Sequence, residues 1–450
     1  MQPCFAAIAH GCAAARHDES FSEVYSPRVR RGSTDFATRR LGLYGAELSS
    51  LAQFFEQPFA TLSRNLSSEI QALVLNLAGS RLRALGRLAE AVEPMRAALD
   101  LNTALPALDK HSWEQAALNA SNLSQLLLTL GRVAEAERVT IESVRYADLS
   151  GDTFQRMATR TARADALHQA GNTRRAMELF AEAERLQAES QPSLPRLYYV
   201  RGYQFSDLLL TQGRVPEVRA QYDYLVSVRD EGESLLDRAL EELLAGRVHA
   251  TLVQNSDASP ASAERDSHAA LAGRHLDDAV ARLIAASSED HIPRGFIARA
   301  GHRRWLYAST GEEAHLAGAD QDLKDAEEIA RRDEPNGGAM RLFLTDIALE
   351  RCRLNLAQIA RGSRTASAKA SAFGMTGAGS WIARWFRRKE ATTDNRSDGA
   401  RGSDPEGLTP FVRLAEAHWK QAADLVKETG YHRRDGELAE LRRQLDGLAG

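Results

Sequence analysis

The sequence predicts an all-α solenoid assembled from antiparallel helix pairs, and three observations predict it. One phrase recurs four times at spacings of 40 to 45 residues. A glycine stands at the same place in every copy. Ala, Leu, Arg and Glu dominate the text while aromatics make up only 6%, and such straight-chain residues lose little rotamer freedom in a helix.

The copies are LRALGRLAEAVEPMRAAL from Leu82, LLTLGRVAEAERVTIESV from Leu127, LHQAGNTRRAMELFAEAE from Leu167 and LLTQGRVPEVRAQYDYLV from Leu209. Registered on Gly86, Gly131, Gly171 and Gly213, each glycine has a leucine four residues before it. Seven before it stands a small residue: Gly79, Ser124, Ala164 or Ser206. Five after it stands Ala91, Ala136, Ala176 or Val218, and twelve after it Ala98, Ser143, Ala183 or the larger Leu225. Small residues at helical spacing on both sides of a turn let two antiparallel helices approach closely, with the leucines filling the groove between them. Glycine takes positive φ without a Cβ clash, so it caps the first helix before the second begins. Pro216 suits the first turn of its second helix, where a missing N–H is no loss. Pro94 falls inside a second helix and predicts a kink or a later start. This is the helix-turn-helix unit of a tetratricopeptide-type repeat, with HEAT-like packing as the nearest competitor. The fold class is therefore a TPR-like α-solenoid, a right-handed superhelix of antiparallel helix pairs. Its period exceeds the usual length of about 34 residues, so long helices or linkers are expected.

Residues 1–254 are assigned to N-terminal repeats. EGESLLDRALEELLAGRVHATLVQN reads as one helix, 255–267 as a polar linker, and SHAALAGRHLDDAVARLIAAS as a pair turning at Gly273. Two further pairs, one around Gly311 and one following the breaker EPNGG and ending at Gly362, complete C-terminal repeats over 268–362. The Ser-, Thr-, Gly- and Asp-rich run 363–410 cannot bury enough apolar area to offset chain entropy. It is expected to be a low-complexity, mostly disordered insertion in the turn between paired helices. Residues 411–450 hold a final repeat helix, capped near Gly430, and a polar capping helix.

Composition narrows the function. Hydrophobic residues are 43% and charged residues 26%, as in an average soluble chain. Lys and Arg number 57 against 61 Asp and Glu, a net charge of -4, which argues against nucleic acid as the partner. No window approaches the roughly 18 apolar residues of a membrane span, and the first residues lack the basic start of a secretion signal. A cytoplasmic location is expected. Cys4, Cys12 and Cys352 are too few and too scattered for disulfides or zinc and read as core residues. Neither HExxH nor GxSxG occurs; His268 and His275, seven apart with Arg274 beside the second, read as structural. No catalytic residue, metal or cofactor is expected. Arg303, Arg304 and Trp305, and His432, Arg433 and Arg434, form small basic clusters of the kind that end helices in solvent.

Several stretches carry a family resemblance: YSPRVRRG, LGLYGAELSSLAQFFEQPF, GSRLRALGRLAEAVEPMRAAL, ASNLSQLLLTLG, YADLSGDTFQRMATRTARADALHQAG, YYVRGYQFSDLLL, HIPRGFIARA and TGYHRRDGELAEL. From about Ala6 to Leu445, the insertion apart, the chain resembles the tetratricopeptide C-terminal half of bacterial STAND-type signal-transduction ATPases. The resemblance implies a sensing or autoinhibitory half. The GxxxxGK[ST] phosphate loop of the nucleotide-binding module is absent, and GMTGAGS near Gly374 has neither its lysine nor a preceding strand.

The expected function is a non-enzymatic scaffold or sensor that binds a protein or peptide on its concave surface. By register, the polar residues of the first helices that would face such a partner are Asn76, Arg83, Asn122, Gln125, Asp165, His168, Tyr203, Gln204 and Asp207. Within the insertion, SWIARWFRRKE would place Trp381, Ile382, Trp385 and Phe386 on one helical face, fit to dock on a partner, on the chain's own groove or, less readily, on a membrane. Two alternatives stay open: a regulatory subunit that completes a separate ATPase module, and a sensor of a small ligand or signal peptide.

Overall fold

The computed structural model describes residues 1–104, 109–228, 233–255, 263–372 and 409–449. The chain opens with short elements: α1 (Gln2–Ala13), α2 (His17–Glu19), a π-helical stretch Ser20–Arg30, α3 (Phe36–Arg39), α4 (Tyr44–Leu51) and a small antiparallel hairpin of β1 (Phe55–Gln57) and β2 (Thr61–Leu62). These gather around Phe21, Tyr25 and Phe54, whose rings meet with centroids 5.2 to 6.1 Å apart. The Tyr25 hydroxyl donates to Glu47 at 2.5 Å, and Arg81 donates to the same buried carboxylate at 3.0 Å. The N-terminal layer is thereby tied to the first long helix. The repeats thus begin at Ser68, later than the assignment of 1–254 to repeats, because an aromatic cluster organises the first segments instead of a glycine turn between long helices.

From there the helices come in pairs. They are α5 (Ser68–Ala84) with α6 (Leu88–Thr103), α7 (Lys110–Thr129) with α8 (Val133–Ser150), α9 (Thr153–Gln169) with α10 (Thr173–Ser190), and α11 (Tyr199–Thr211) with α12 (Val215–Ser227). Then follow α13 (Leu235–Asn255) with α14 (Ala263–Ala285), α15 (Ile292–Thr310) with α16 (Glu313–Arg331), and α17 (Arg341–Ala372) with α18 (Thr409–Thr429). α19 (Asp435–Ala449) covers the end. The protein is an all-α solenoid of consecutive helix pairs.

The four registered glycines behave alike. Gly86, Gly131, Gly171 and Gly213 have φ between +70° and +84°. The N–H of the residue after each bonds back to the carbonyl of Leu82, Leu127, Leu167 or Leu209 at 2.8 to 3.0 Å, the six-to-one bond of a Schellman cap. Each leucine of the column therefore closes the turn with its backbone and fills the core with its buried side chain. The small columns are buried as well, and at Gly79 a Cβ would stand 2.6 Å from Met95 Cγ, so the α5–α6 approach leaves no room for a side chain.

Two local readings are corrected. α14 begins at Ala263 and runs through Gly273, so no turn lies there and 263–267 are helix, not linker. The surrounding Ala, Leu and Arg outweigh the cost of about 1 kcal/mol for a glycine inside a helix. α17 likewise continues past Gly362 to Ala372. α6 starts at Leu88, no later than its pair requires, and contains the buried Pro94, which deprives the Glu90 carbonyl of its usual donor. The remainder of the insertion, 373–408, with Trp381, Ile382, Trp385 and Phe386, lies outside the described residues.

The first-half turns abut the second half of the chain. A Cβ on Gly86 would meet Glu289, one on Gly131 would meet Arg341 and Thr429, and one on Gly171 would meet His432 at 3.0 Å and its backbone carbonyl carbon at 3.1 Å. Glu289 donates its N–H to the Ala84 carbonyl at 2.7 Å, and Asp333 accepts from the Ala89 N–H at 2.8 Å. The turns of the first half are consequently covered by the second half of the chain. Gly171→Ala and Gly213→Ala both incur the left-handed-backbone strain of about 1 to 2 kcal/mol, but a Cβ on Gly213 meets nothing within 4 Å. Gly171→Ala should lower the thermal midpoint further than Gly213→Ala; equal shifts in differential scanning calorimetry would contradict the abutment.

Candidate functional site

The first helix of each early pair turns its polar face inward. Arg83 of α5, Gln125 of α7, Asp165 of α9, and Tyr203, Gln204 and Asp207 of α11 wall a cavity of about 220 Å³. Its far side is built from Arg247 of α13, Arg294 of α15, Asp346 of α17, and Tyr431, Arg433 and Arg434 in the turn before α19. An adjoining cavity of about 440 Å³ shares Arg83, Gln125 and Gln204 and adds Asn122, Phe154 and Arg201. Of the nine predicted concave residues, only Asn76 and His168 line neither. Both are buried: Asn76 accepts from the Asn122 amide at 3.2 Å, and His168 Nε2 stands 3.3 Å from the Thr211 hydroxyl. They sit one layer behind the inner surface, which corrects the expectation that they face a partner.

Paired charges hold the lumen. Asp207 receives Arg433 at 2.6 Å on one carboxylate oxygen and Arg247 at 2.7 Å on the other. Burial opposes its ionisation, yet the two guanidiniums outweigh it and hold the carboxyl well below its usual range. Arg247 also donates to the Tyr203 hydroxyl at 3.0 Å. Arg434 pairs with Asp346 at 2.7 Å, Tyr431 donates to that same aspartate at 3.3 Å, and Arg83 pairs with Asp290 at 3.1 Å. Side-chain amides complete the set: Gln204 and Gln169 donate to Asp165 at 3.0 and 2.6 Å, and Arg83 donates to Gln125 at 2.8 Å. Burial pushes Asp165 up, outweighing the Gln169 hydrogen bond and the attraction of Arg433 and Arg294.

The cluster His432, Arg433 and Arg434 does not end a helix in solvent as its sequence suggests. Only His432 stays exposed, while the Arg433 side chain is 7% exposed. A carboxylate 226 positions away captures it, a stronger partner than a helix dipole. Arg303 and Arg304 are paired as well, with Asp322 at 2.9 Å and Glu350 at 2.5 Å. Sequence reasoning also missed Arg247, Arg294 and Asp346 as lumen residues; nothing local marks them, since each becomes an inner residue only through the curvature of the whole array.

Other reactive groups are housed structurally. Cys352 is buried, and burial pushes its thiol up to about 11, which disfavours the nucleophilic thiolate. His249 and His268 meet ring to ring, Nδ1 to Nδ1 at 2.9 Å, and His275 bonds Glu242 at 2.8 Å. Among the described residues no group of three or more His, Cys, Asp or Glu is placed to hold a metal ion, and no helix is long and apolar enough to cross a membrane.

No protein-family model and no curated protein matches the chain. Among solved structures it is similar to a circular tandem repeat protein with novel repeat topology and enhanced subunit contact surfaces, at 14% identity over 99% of this chain and 95% of that one, with a TM-score of 0.22. A likeness of that depth carries no argument.

His291 lies where the two cavities meet, and burial lowers its pKa to about 3. The unfolded chain then binds this proton below about pH 6.5 while the folded chain does not until about pH 3, so the contribution is full above 6.5 and is lost on acidification. His291→Gln should flatten the fall of thermal midpoint between about pH 6.5 and 4.5. An unchanged slope would show that His291 is not held neutral.

Proposed function

We propose that this protein is a non-enzymatic helical-repeat scaffold or sensor that receives a peptide or an extended protein segment on its concave face. What supports this most is the placement of side-chain amides, aromatic rings and charged groups from successive helix pairs around two adjoining cavities. Stacked pairs bury a common core and preorganise that inner surface, which reduces the ordering cost of binding. A second reading, that the chain regulates a separate ATPase module in bacterial signalling, is supported by the stretches that resemble STAND-type sensor halves. A cytoplasmic site of action belongs to both.

Asn122, Gln125 and Gln204 line the lumen without carrying the ion pairs that close it. Replacing all three with alanine should reduce partner recovery in affinity purification from the native cell by about tenfold or more, as for a central interface patch, with helicity unchanged by circular dichroism. Recovery at the wild-type level would dismiss this face. An ATPase assay on the same eluate separates the two readings.

A further inference from the structure

The lumen holds more guanidiniums than its carboxylates pair with. Seven arginines and five aspartates line the two cavities, with neither lysine nor glutamate, although the whole chain carries a net charge of -4. Asp207 is shared between Arg247 and Arg433, and Asp290, Asp346 and Asp237 serve Arg83, Arg434 and Arg39. Two guanidiniums are left over. Arg294 projects into the first cavity, within electrostatic reach of Asp165 and Asp290, and Arg201 into the second, within reach of Asp237, but among the described residues neither joins an ion pair or donates a hydrogen bond. The Arg294 Nε is buried without an acceptor.

Both lie over aromatic faces. Arg294 Cζ is 5.5 Å from the Tyr203 ring centre and 5.4 Å from that of Phe343, and Arg201 Cζ is 4.8 Å from that of Phe154. A ring face steadies a cation but does not replace the in-plane acceptors that a guanidinium fork is shaped for, and a carboxylate supplies two of them in the right plane. Burial lowers the pKa of Arg201, which marks how poorly its surroundings compensate the charge. A phosphate would draw several forks to one centre, whereas these two stand on different helices, in different cavities, each beside its own rings. That arrangement suits two separate carboxylates on one extended chain.

We infer that the lumen selects acidic peptide segments, with Arg294 and Arg201 each receiving one side-chain carboxylate and the amides of Asn122, Gln125 and Gln204 available to the peptide backbone. This rests on the proposed binding role of the concave face and adds the chemistry that it selects.

The test uses the full chain and two capped heptapeptide pools, one randomised over Asp, Glu and small residues and the other identical with Asn and Gln in place of the acids, read by affinity selection and mass spectrometry. The acidic pool should be retained about tenfold over its amide counterpart, the scale of a charge-assisted hydrogen bond. That preference should disappear in the Arg201→Gln, Arg294→Gln double variant. Should the variant misfold, the wild-type preference and its decline with salt decide the matter. Equal retention of both pools would leave peptide binding in place and overturn the carboxylate assignment. Displacement of the acidic pool by equimolar inorganic phosphate would overturn it in favour of a phosphate site. Retention of neither pool would overturn both this inference and the peptide-binding reading.

Discussion

One partly buried carboxylate links the middle of the array to the turn before its last helix. Asp207 sits on the fourth first-helix, accepts Arg247 from the next pair and accepts Arg433 from the turn that precedes the last helix. Each oxygen has its own guanidinium, so the desolvation cost of burying the carboxylate is met by two charge-assisted hydrogen bonds. Removing either partner would strand a buried charge, at a cost of about 3 to 5 kcal/mol. That contact and the pair of Arg83 with Asp290 tie helices of the first half to the second half across the lumen, while Arg434 with Asp346 anchors the final turn to its neighbouring helix.

The division of labour between apolar and polar contacts follows. Helix pairs cohere through buried leucine and alanine columns, an interaction that is strong and tolerant of direction. Such packing sets the spacing of neighbouring pairs and leaves the longer-range curvature softer. Directional ion pairs between non-neighbouring pairs supply what packing does not. The same inner face therefore carries two sets of arginines, one that closes the array and one, Arg201 and Arg294, that closes nothing.

The sequence made the local unit legible and left the closure hidden. Gly86, Gly131, Gly171 and Gly213 could be read because a Schellman turn needs a residue at positive φ and a leucine four positions earlier, both visible within a dozen residues. Seven of the nine inner residues could be read because facing is periodic on a helix. Gly273 was misread because an isolated glycine in a strong helical context gives the same local signal as a turn. Asn76 and His168 were placed on the inner face by register, but the close approach of successive pairs covers them. Arg433 was unreadable because its partner lies 226 positions away, a separation that no periodicity encodes. The N-terminal aromatic cluster escaped for the opposite reason: its elements are too short and irregular to show any period.

A double-mutant cycle on Asp207→Leu and Arg433→Met, with stability measured by chemical denaturation at neutral pH, tests the closing contact most directly. Each single substitution should destabilise by several kcal/mol, while the pair together should cost much less than the sum, giving a coupling of about 2 kcal/mol or more. Additivity within about 0.5 kcal/mol would show that the two residues do not sense one another and that this contact closes nothing.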